Sequence, residues 1–360
     1  MRKTFYFIIF LIFVVNGFSQ KADLLLLKNY RPKSVYTIPV TIPEKAKFPV
    51  IDMHSHPYAT NAQELTNWVK TMDEMGIART IILTMAIGRQ FDSLVEVYGK
   101  FPGRFELWCG FDYTGYDKPG FGPAAVSELE RCYKKGAKGV GELGDKGAGE
   151  LYSKPIQAYG MHIDDARMKP LLQKCAELHM PINIHVADPY WMYLPTDSTN
   201  DGLMNADVWK ITLKPGMLDH AELIKSLENA VRENPKTVFI ACHFANCEYD
   251  LSIAGRLLDK YSNLYLDISA RYAETATIPR YMEKFYSKHQ DWLLYGTDMG
   301  MDKNMYQVTF RVLETLDEHF YETELFGYHW AMNGFGLSDT ILNKLYMKNA
   351  LKIRKHENER

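Results

Sequence analysis

His54 and His56 stand two residues apart in the run Asp52-Met53-His54-Ser55-His56-Pro57. On a β-strand, period-two alternation turns both imidazoles to one face. Two converging imidazoles suit a borderline-soft divalent cation. The pair alone says little, because a His-x-His arises often by chance. Groups of the same chemistry recur at the ends of later apolar runs. Glu142 lies in Gly-Val-Gly-Glu-Leu-Gly, His185 closes Pro-Ile-Asn-Ile-His, His243 closes Thr-Val-Phe-Ile-Ala-Cys-His, and Asp298 follows Trp-Leu-Leu-Tyr-Gly-Thr. One histidine at a strand end is more often a satisfied core residue. Several such histidines together with two carboxylates are hard to explain by packing, since buried ionisable groups are costly unless paired or ligating.

The elements that carry these residues follow a rhythm of short apolar run, loop and longer amphipathic stretch. That rhythm is the signature of parallel strands joined by crossover helices. Strands are predicted at 48–54, 79–85, 105–111, 138–143, 181–185, 237–243, 263–268 and 292–297, with helices at 62–75, 124–135, 167–179, 221–233 and 278–289 among them. Gly76 and Asn234–Pro235 are reasonable helix stops. Eight strand-helix units in 360 residues predict an α/β fold closed as a (β/α)8 barrel. An open doubly wound sheet is the competing topology, but no Gly-rich phosphate turn follows the first strand. In a barrel, all the ionisable strand ends gather at the C-terminal mouth, where active sites sit.

Arg2 and Lys3, the apolar run Phe5–Val15 and the small residues Gly17 and Ser19 read as a secretory signal cut near Ser19–Gln20. That assigns 1–19 to a signal peptide, 20–47 (with Pro32, Pro39 and Pro43) to an N-terminal arm and 48–360 to the barrel, with a secreted or periplasmic product. Without the signal, 40 basic side chains face 44 acidic ones, a net charge of −4. Neither this balance nor any basic stripe suits a nucleic-acid partner. The run 5–15 is too short to span a bilayer, so no stable membrane insertion is expected after cleavage. The five cysteines cannot all pair within the chain, and Cys109 and Cys242, inside apolar runs, read as buried thiols. A small-molecule substrate is the expected partner, and self-association stays open.

Two further groups invite a substrate-binding role. Asp267, Ser269 and Arg271 alternate along the seventh strand, and Arg271 at its end suits a fork onto a carboxylate or phosphate, or else an ion pair with Glu274. The irregular insertion 186–218 has the length of a lid, and its Tyr190, Trp191 and Tyr193 form a pocket wall or plain loop packing.

Asp-Met-His-Ser-His-Pro, Glu142, His185, His243 and Tyr-Gly-Thr-Asp at 295–298 resemble the amidohydrolase superfamily, more narrowly its amidohydrolase-related (amidohydrolase 2) branch of TIM-barrel metal-dependent hydrolases. The resemblance runs from about Val50 to Lys352 and includes Lys-Asn-Ala-Leu at 348–351. It implies that His54, His56, His185 and Asp298 bind a divalent metal, zinc first and manganese second. His243 would then join a second ion or orient substrate. Glu142 stands where two-metal members carry a carboxylated lysine, so either one ion or two is compatible with the pattern. The implied reaction is hydrolysis of an amide, ester or lactone. Asp298 takes the proton of a metal-activated water, and His243 polarises the carbonyl or holds that water. Non-oxidative decarboxylation of an aromatic acid and a non-catalytic metal-containing binding role are the alternatives.

Overall fold

The computed structural model describes residues 21–355, so the expected signal peptide lies outside the described residues. Eight parallel strands follow one another: β1 (Val50–Ser55), β2 (Ile77–Leu83), β3 (Phe105–Trp108), β4 (Val140–Asp145), β5 (Ile182–Val186), β6 (Phe239–Ala241), β7 (Leu264–Asp267) and β8 (Leu293–Leu294). Regular pairing runs β1-β2-β3 and β4-β5-β6-β7-β8. A bridge between Cys109 and Val140 joins the two groups. The ring closes where Met53 N–H donates to the Tyr295 carbonyl at 2.9 Å and Asp298 N–H to the His54 carbonyl at 2.8 Å. The expected TIM-barrel architecture is therefore the one observed.

Local sequence explains the helices between the strands. In Ala62–Met75, the Asn61 side chain caps Gln63 and Glu64 N–H, the apolar positions Leu65, Trp68, Met72 and Met75 are buried, and Gly76 ends the helix at φ 78°. Such a cap contributes about 1 kcal/mol, and a left-handed C-cap is the conformation glycine adopts without a Cβ penalty. His220–Glu233 begins with a full capping box between Asp219 and Glu222. Ile51, Met53, Ile81, Leu83, Trp108, Ile240, Tyr265 and Leu294, from six strands, pack together, and Ala350 and Ile353 of the last helix join them. All five cysteines are buried free thiols.

The mouth is where the backbone departs from regularity. Met85 after β2, Ala187 after β5, four consecutive residues His243–Asn246 after β6, Ala270 after β7 and Asp298 after β8 all adopt positive φ. Non-glycine residues in this region cost on the order of 1–3 kcal/mol each and cluster where function fixes the chain. The insertion after β5 holds a 3-10 turn at Tyr190–Tyr193 and a short helix at Leu203–Trp209. Residues 21–47 carry no strand or α-helix and lie along the barrel, with Thr41 N–H donating to Asp317 at 2.7 Å. Among the described residues no helix is long and apolar enough to cross a membrane.

Candidate metal centre

β1 delivers the first two histidines. Its pairing with β2 shifts register between Asp52 and Ser55, so strict alternation does not hold along the whole strand. The His54 and His56 rings nonetheless meet edge to face with centroids 5.4 Å apart. Asp52, just below them, accepts from His54 N–H, Thr297 N–H, Thr297 O–H and Tyr306 O–H, and so pins β1 to the chain after β8. Burial pushes its carboxyl up to about 6 despite those bonds.

Each histidine is oriented through Nδ1. His54 Nδ1–H donates to Asp267 Oδ2 at 2.9 Å, His56 Nδ1–H to the Leu83 carbonyl at 3.0 Å, and His243 Nδ1–H to the Ser269 carbonyl at 2.9 Å. The Ser269 hydroxyl gives its proton to Asp267 Oδ1 at 2.5 Å, leaving its oxygen as an acceptor beside both rings. This network fixes a proton on Nδ1 in all three residues, so Nε2 is the nitrogen left to ligate whenever the ring is neutral. The three Nε2 atoms face the same carboxylates. Glu142 Oε1 lies 3.7 Å from His54 Nε2 and 3.6 Å from His243 Nε2, and its Oε2 lies 3.4 Å from His56 Nε2. Asp298 Oδ1 is 3.6 Å from His54 Nε2 and 3.2 Å from His56 Nε2. Tyr58 O–H donates to the Asp298 carbonyl and lies 3.4 Å from its Oδ1.

Two sets of donor atoms converge within 4.8 Å: His54, His56 and Asp298, and His54, Glu142, His243 and Cys242. His54 Nε2 is buried and has no hydrogen-bond partner. A buried, unpartnered Nε2 beside two carboxylates is satisfied either by a second proton or by a bound cation that takes its place, so the donor set fits a divalent metal. The electrostatics agree. Burial alone lowers the His54 ring, but Asp267, Asp298 and Glu142 raise it to about 9, and Asp298 and Glu142 likewise raise His56 to about 10. Burial resists ionisation of Glu142, yet His185, His243 and His56 hold it well below the usual range. The site thus collects negative charge and asks for a cation.

Of the residues expected here, His54, His56, Glu142, His243 and Asp298 come together. His185 stands at the edge of the group, outside both converging sets. Its Nδ1 faces Glu142 Oε1 at 3.0 Å and its Nε2 faces Asp188 Oδ1 at 3.2 Å, with Lys146 Nζ at 2.8 Å from the same oxygen. With carboxylates at both nitrogens, its pKa rises although burial opposes charge. As placed, His185 offers hydrogen bonds in place of a lone pair. Arg271 is buried and held by the Asn246 side-chain oxygen and by the Ala270 carbonyl at 2.8 Å. Its nearest carboxylate is Glu248 at 3.7 Å, whereas Glu274 accepts the Tyr328 hydroxyl at 2.6 Å. Tyr190 stacks on Tyr249 with centroids 4.1 Å apart, and Trp191 meets Tyr328 edge-on at 6.4 Å. Both contacts are packing of the insertion against neighbouring loops. Asp267 and Ser269 touch His54 and His243, but the strand ends at Asp267 and Ala270 turns left-handed, so the alternation through Arg271 does not continue.

Sequence reasoning missed Asp188, Tyr58, Asn183 and Cys242 as members. Asp188 was visible only as a neighbour of the aromatic run, and Cys242 as a strand thiol. In the fold the Cys242 thiol donates to Asn183 Oδ1 at 2.9 Å, and Asn183 Nδ2–H donates to Asp267 at 3.1 Å.

The barrel has several structural relatives. It matches 2,6-dihydroxybenzoate decarboxylase from Rhizobium with a TM-score of 0.54 at 17% identity, over 86% of this chain and 100% of that one. A dihydroxybenzoic acid decarboxylase from a Polaromonas species, with bound manganese and 2-nitroresorcinol, gives 0.53 at 17% identity over 87% and 98%. A putative amidohydrolase from Staphylococcus aureus gives 0.52 at 15% identity over 85% and 99%. At such identities the likeness is one of fold. No curated protein sequence matches the chain. Residues 51–353 match the amidohydrolase family pattern, and the match spans the strands that bear every donor described above. This chain belongs to the amidohydrolase family.

Proposed function

We propose that this chain is a metal-dependent hydrolase that opens an amide, ester or lactone bond of a small molecule. The observation that carries the proposal is the convergence of three histidine Nε2 atoms on Glu142, two of them also on Asp298, with His54 Nε2 buried and unpartnered. His54, His56 and Asp298 would hold one divalent ion, and His243 with Glu142 would face a second position. Zinc fits the nitrogen and oxygen donors, with manganese, the ion of the Polaromonas relative, second. When bound, such an ion supplies Lewis acidity, polarising a carbonyl and lowering the pKa of water from about 15.7 to about 7.

The chain's own residues do the rest. Asp298, kept anionic against burial by His54, His56 and His243, accepts the proton of the attacking water and passes it to the leaving atom. Tyr58, whose pKa burial and the carboxylates push up, stays protonated and steadies Asp298. His243 has its proton committed to Ser269, so its Nε2 accepts a hydrogen bond or ligates. In that tautomer His243 would hold the metal or the activated water rather than donate to a substrate carbonyl, which favours the second of its two expected roles. Residues 1–19 would export the protein to the periplasm or beyond.

Decarboxylation of an aromatic acid is the second reading, favoured by the fold shared with two decarboxylases. One experiment separates them. The protein is stripped of metal, reloaded with zinc or manganese, and offered lactones, amides and hydroxybenzoates. Metal-dependent ring opening or amide cleavage supports hydrolysis, and metal-dependent CO2 release supports the second reading. Full turnover by protein with fewer than ~0.1 metal per chain would sink both, since a tight ligand set is meant to be filled.

A further inference from the structure

Residues 21–47 precede the segment that matches the family, so the arm is an addition to the shared barrel. Its seat on the barrel is polar. Thr41 N–H donates to Asp317, Ser34 pairs with His319 at 3.1 Å, Lys47 N–H donates to Glu314 at 3.0 Å, and Gln307 reaches the Pro43 carbonyl at 3.3 Å. Most of its large apolar side chains are turned away, and Tyr36 meets His319 edge to face at 4.9 Å. Val35 is 86% exposed and Leu24 74%, with Leu26, Tyr36, Val40 and Ile42 all more than half exposed. Val40 and Ile42 flank Thr41, whose N–H bond to Asp317 anchors this stretch while both side chains stay exposed. Leu316, beside Asp317, extends the patch onto the barrel at 80% exposure.

Single exposed apolar residues need no explanation, but a run of them on one segment marks an interaction surface. The charge on the same segment indicates what the surface meets. Residues 21–43 carry Lys21, Lys28, Arg31 and Lys33 against Asp23 alone, in a chain whose net charge is −2. All four cations are exposed, and none has a carboxylate partner among the described ion pairs. Basic side chains interleaved with exposed Leu, Val, Ile and Tyr are the chemistry of a segment that lies on an anionic bilayer surface. The arm also begins where the apolar run 5–15 leaves off, so export would deliver it beside the membrane.

We infer that the arm, with Leu316, is a peripheral docking surface for an anionic lipid bilayer and holds the barrel at the membrane without spanning it. The test is co-sedimentation of the protein, as the cell exports it, with vesicles of equal parts phosphatidylglycerol and phosphatidylcholine, and with pure phosphatidylcholine. The mixed vesicles should carry the protein down, high salt should release it, and the neutral vesicles should bind it weakly. Combined Lys28→Gln, Arg31→Gln and Lys33→Gln should weaken partitioning about a hundredfold. Val40→Ser with Ile42→Ser should weaken it as well, while metal content, turnover and melting temperature stay unchanged. Two results overturn the inference. One is no binding to phosphatidylglycerol, or binding indifferent to salt and to these substitutions. The other is a stable dimer in solution that Val40→Ser with Ile42→Ser converts to monomer, which would assign the patch to a second copy of the chain. The surface does not depend on the metal centre, so loss of the hydrolase reading would leave it standing.

Discussion

Asp267→Asn should cripple the centre without touching a donor to the metal. The Asp267 carboxylate is fully buried and accepts from His54 Nδ1, Asn183 Nδ2, His243 N–H, Ser269 N–H and Ser269 O–H, all between 2.5 and 3.1 Å. Asparagine has the same shape but turns one acceptor oxygen into a donor. With the oxygen kept toward Ser269 and His243, its NH2 group meets His54 Nδ1 and Asn183 Nδ2. His54 can escape that clash only by moving its proton to Nε2, which removes the lone pair at the centre. Loss of such an orienting partner costs about 10–100-fold in metal affinity, roughly 1.4–2.7 kcal/mol. The donor left facing Asn183 costs a further ~1–3 kcal/mol of stability. The pH dependence has a definite sign. Burial opposes ionisation of Asp267, but His54, His243 and Ser269 hold it well below the ordinary range. A carboxyl depressed in the folded state stabilises above its unfolded pKa of about 3.9 and loses that contribution as pH falls toward its folded value. The gap in stability between wild type and variant should therefore be full at neutral pH and shrink in acid. Chelator competition gives the affinity, thermal melts of metal-free protein give the stability, and nitrogen NMR of labelled histidine gives the tautomer. A variant that bound metal like wild type with the His54 proton still on Nδ1 would refute the orienting role.

Glu142→Gln should drop the metal content from about two per chain to about one if Glu142 serves two ions, and should leave about one, held more weakly, if it acts from outside the ligand set. Metal analysis by mass spectrometry decides between them. Asp298→Asn should lose most of the activity while circular dichroism and melting stay near wild type, because Asn keeps the size and cannot take a proton. Near-normal turnover with normal metal content would remove Asp298 from the proton path. Burial pushes Glu248 up to about 7 against the pull of Arg271, so its contribution to stability is fully present below about 4.3 and is lost as pH rises toward 7. Glu248→Gln abolishes that decline, and its melting temperature relative to wild type should improve between about pH 5 and about pH 8. A constant difference across that range would count against a buried, reluctant carboxylate.

Much of this fold was legible because period and punctuation agreed along the chain. Each predicted strand overlaps an observed one, and the helix 62–75 was bounded by Asn61 and Gly76, whose capping chemistry is local. Boundaries slipped where tertiary pairing decides them. β8 is only Leu293–Leu294, because the chain beyond it turns left-handed at Asp298 to meet His54. His54, His56, Glu142, His243 and Asp298 could be picked out as ionisable residues at strand ends. Asp188, Tyr58 and Asn183 could not, since their roles depend on contacts 3 to 240 residues distant in the chain. Arg271 was legible as a cation after the seventh strand suited to a substrate anion or to Glu274, but its burial and its engagement by Asn246 and Glu248 were not. Asn246 ends the left-handed turn after β6 and Glu248 follows it, a turn that no propensity rule foretells.

The histidines show why a ligand cannot be recognised from residue type and strand end alone. His54, His56, His185 and His243 all satisfy that description. What divides them is the fate of the other ring nitrogen. In three of them Nδ1 donates to a fixed acceptor, an Asp267 oxygen or a main-chain carbonyl, and Nε2 is the nitrogen aimed at the shared carboxylates. In His185, Nδ1 is spent on Glu142 and Nε2 on Asp188, so as placed neither nitrogen belongs to the converging donor sets. Binding a cation at the centre would change this balance. With positive charge beside Glu142, the raised pKa of His185 would fall, and its hold on Glu142 would weaken. His185 could then release Glu142 and turn Nδ1 toward the centre, or keep Asp188 and remain a donor at its edge. The two outcomes differ in which ring nitrogen carries a proton in metal-loaded protein. Nitrogen NMR therefore distinguishes a ligand from an edge donor at the one histidine where sequence and structure point to different roles.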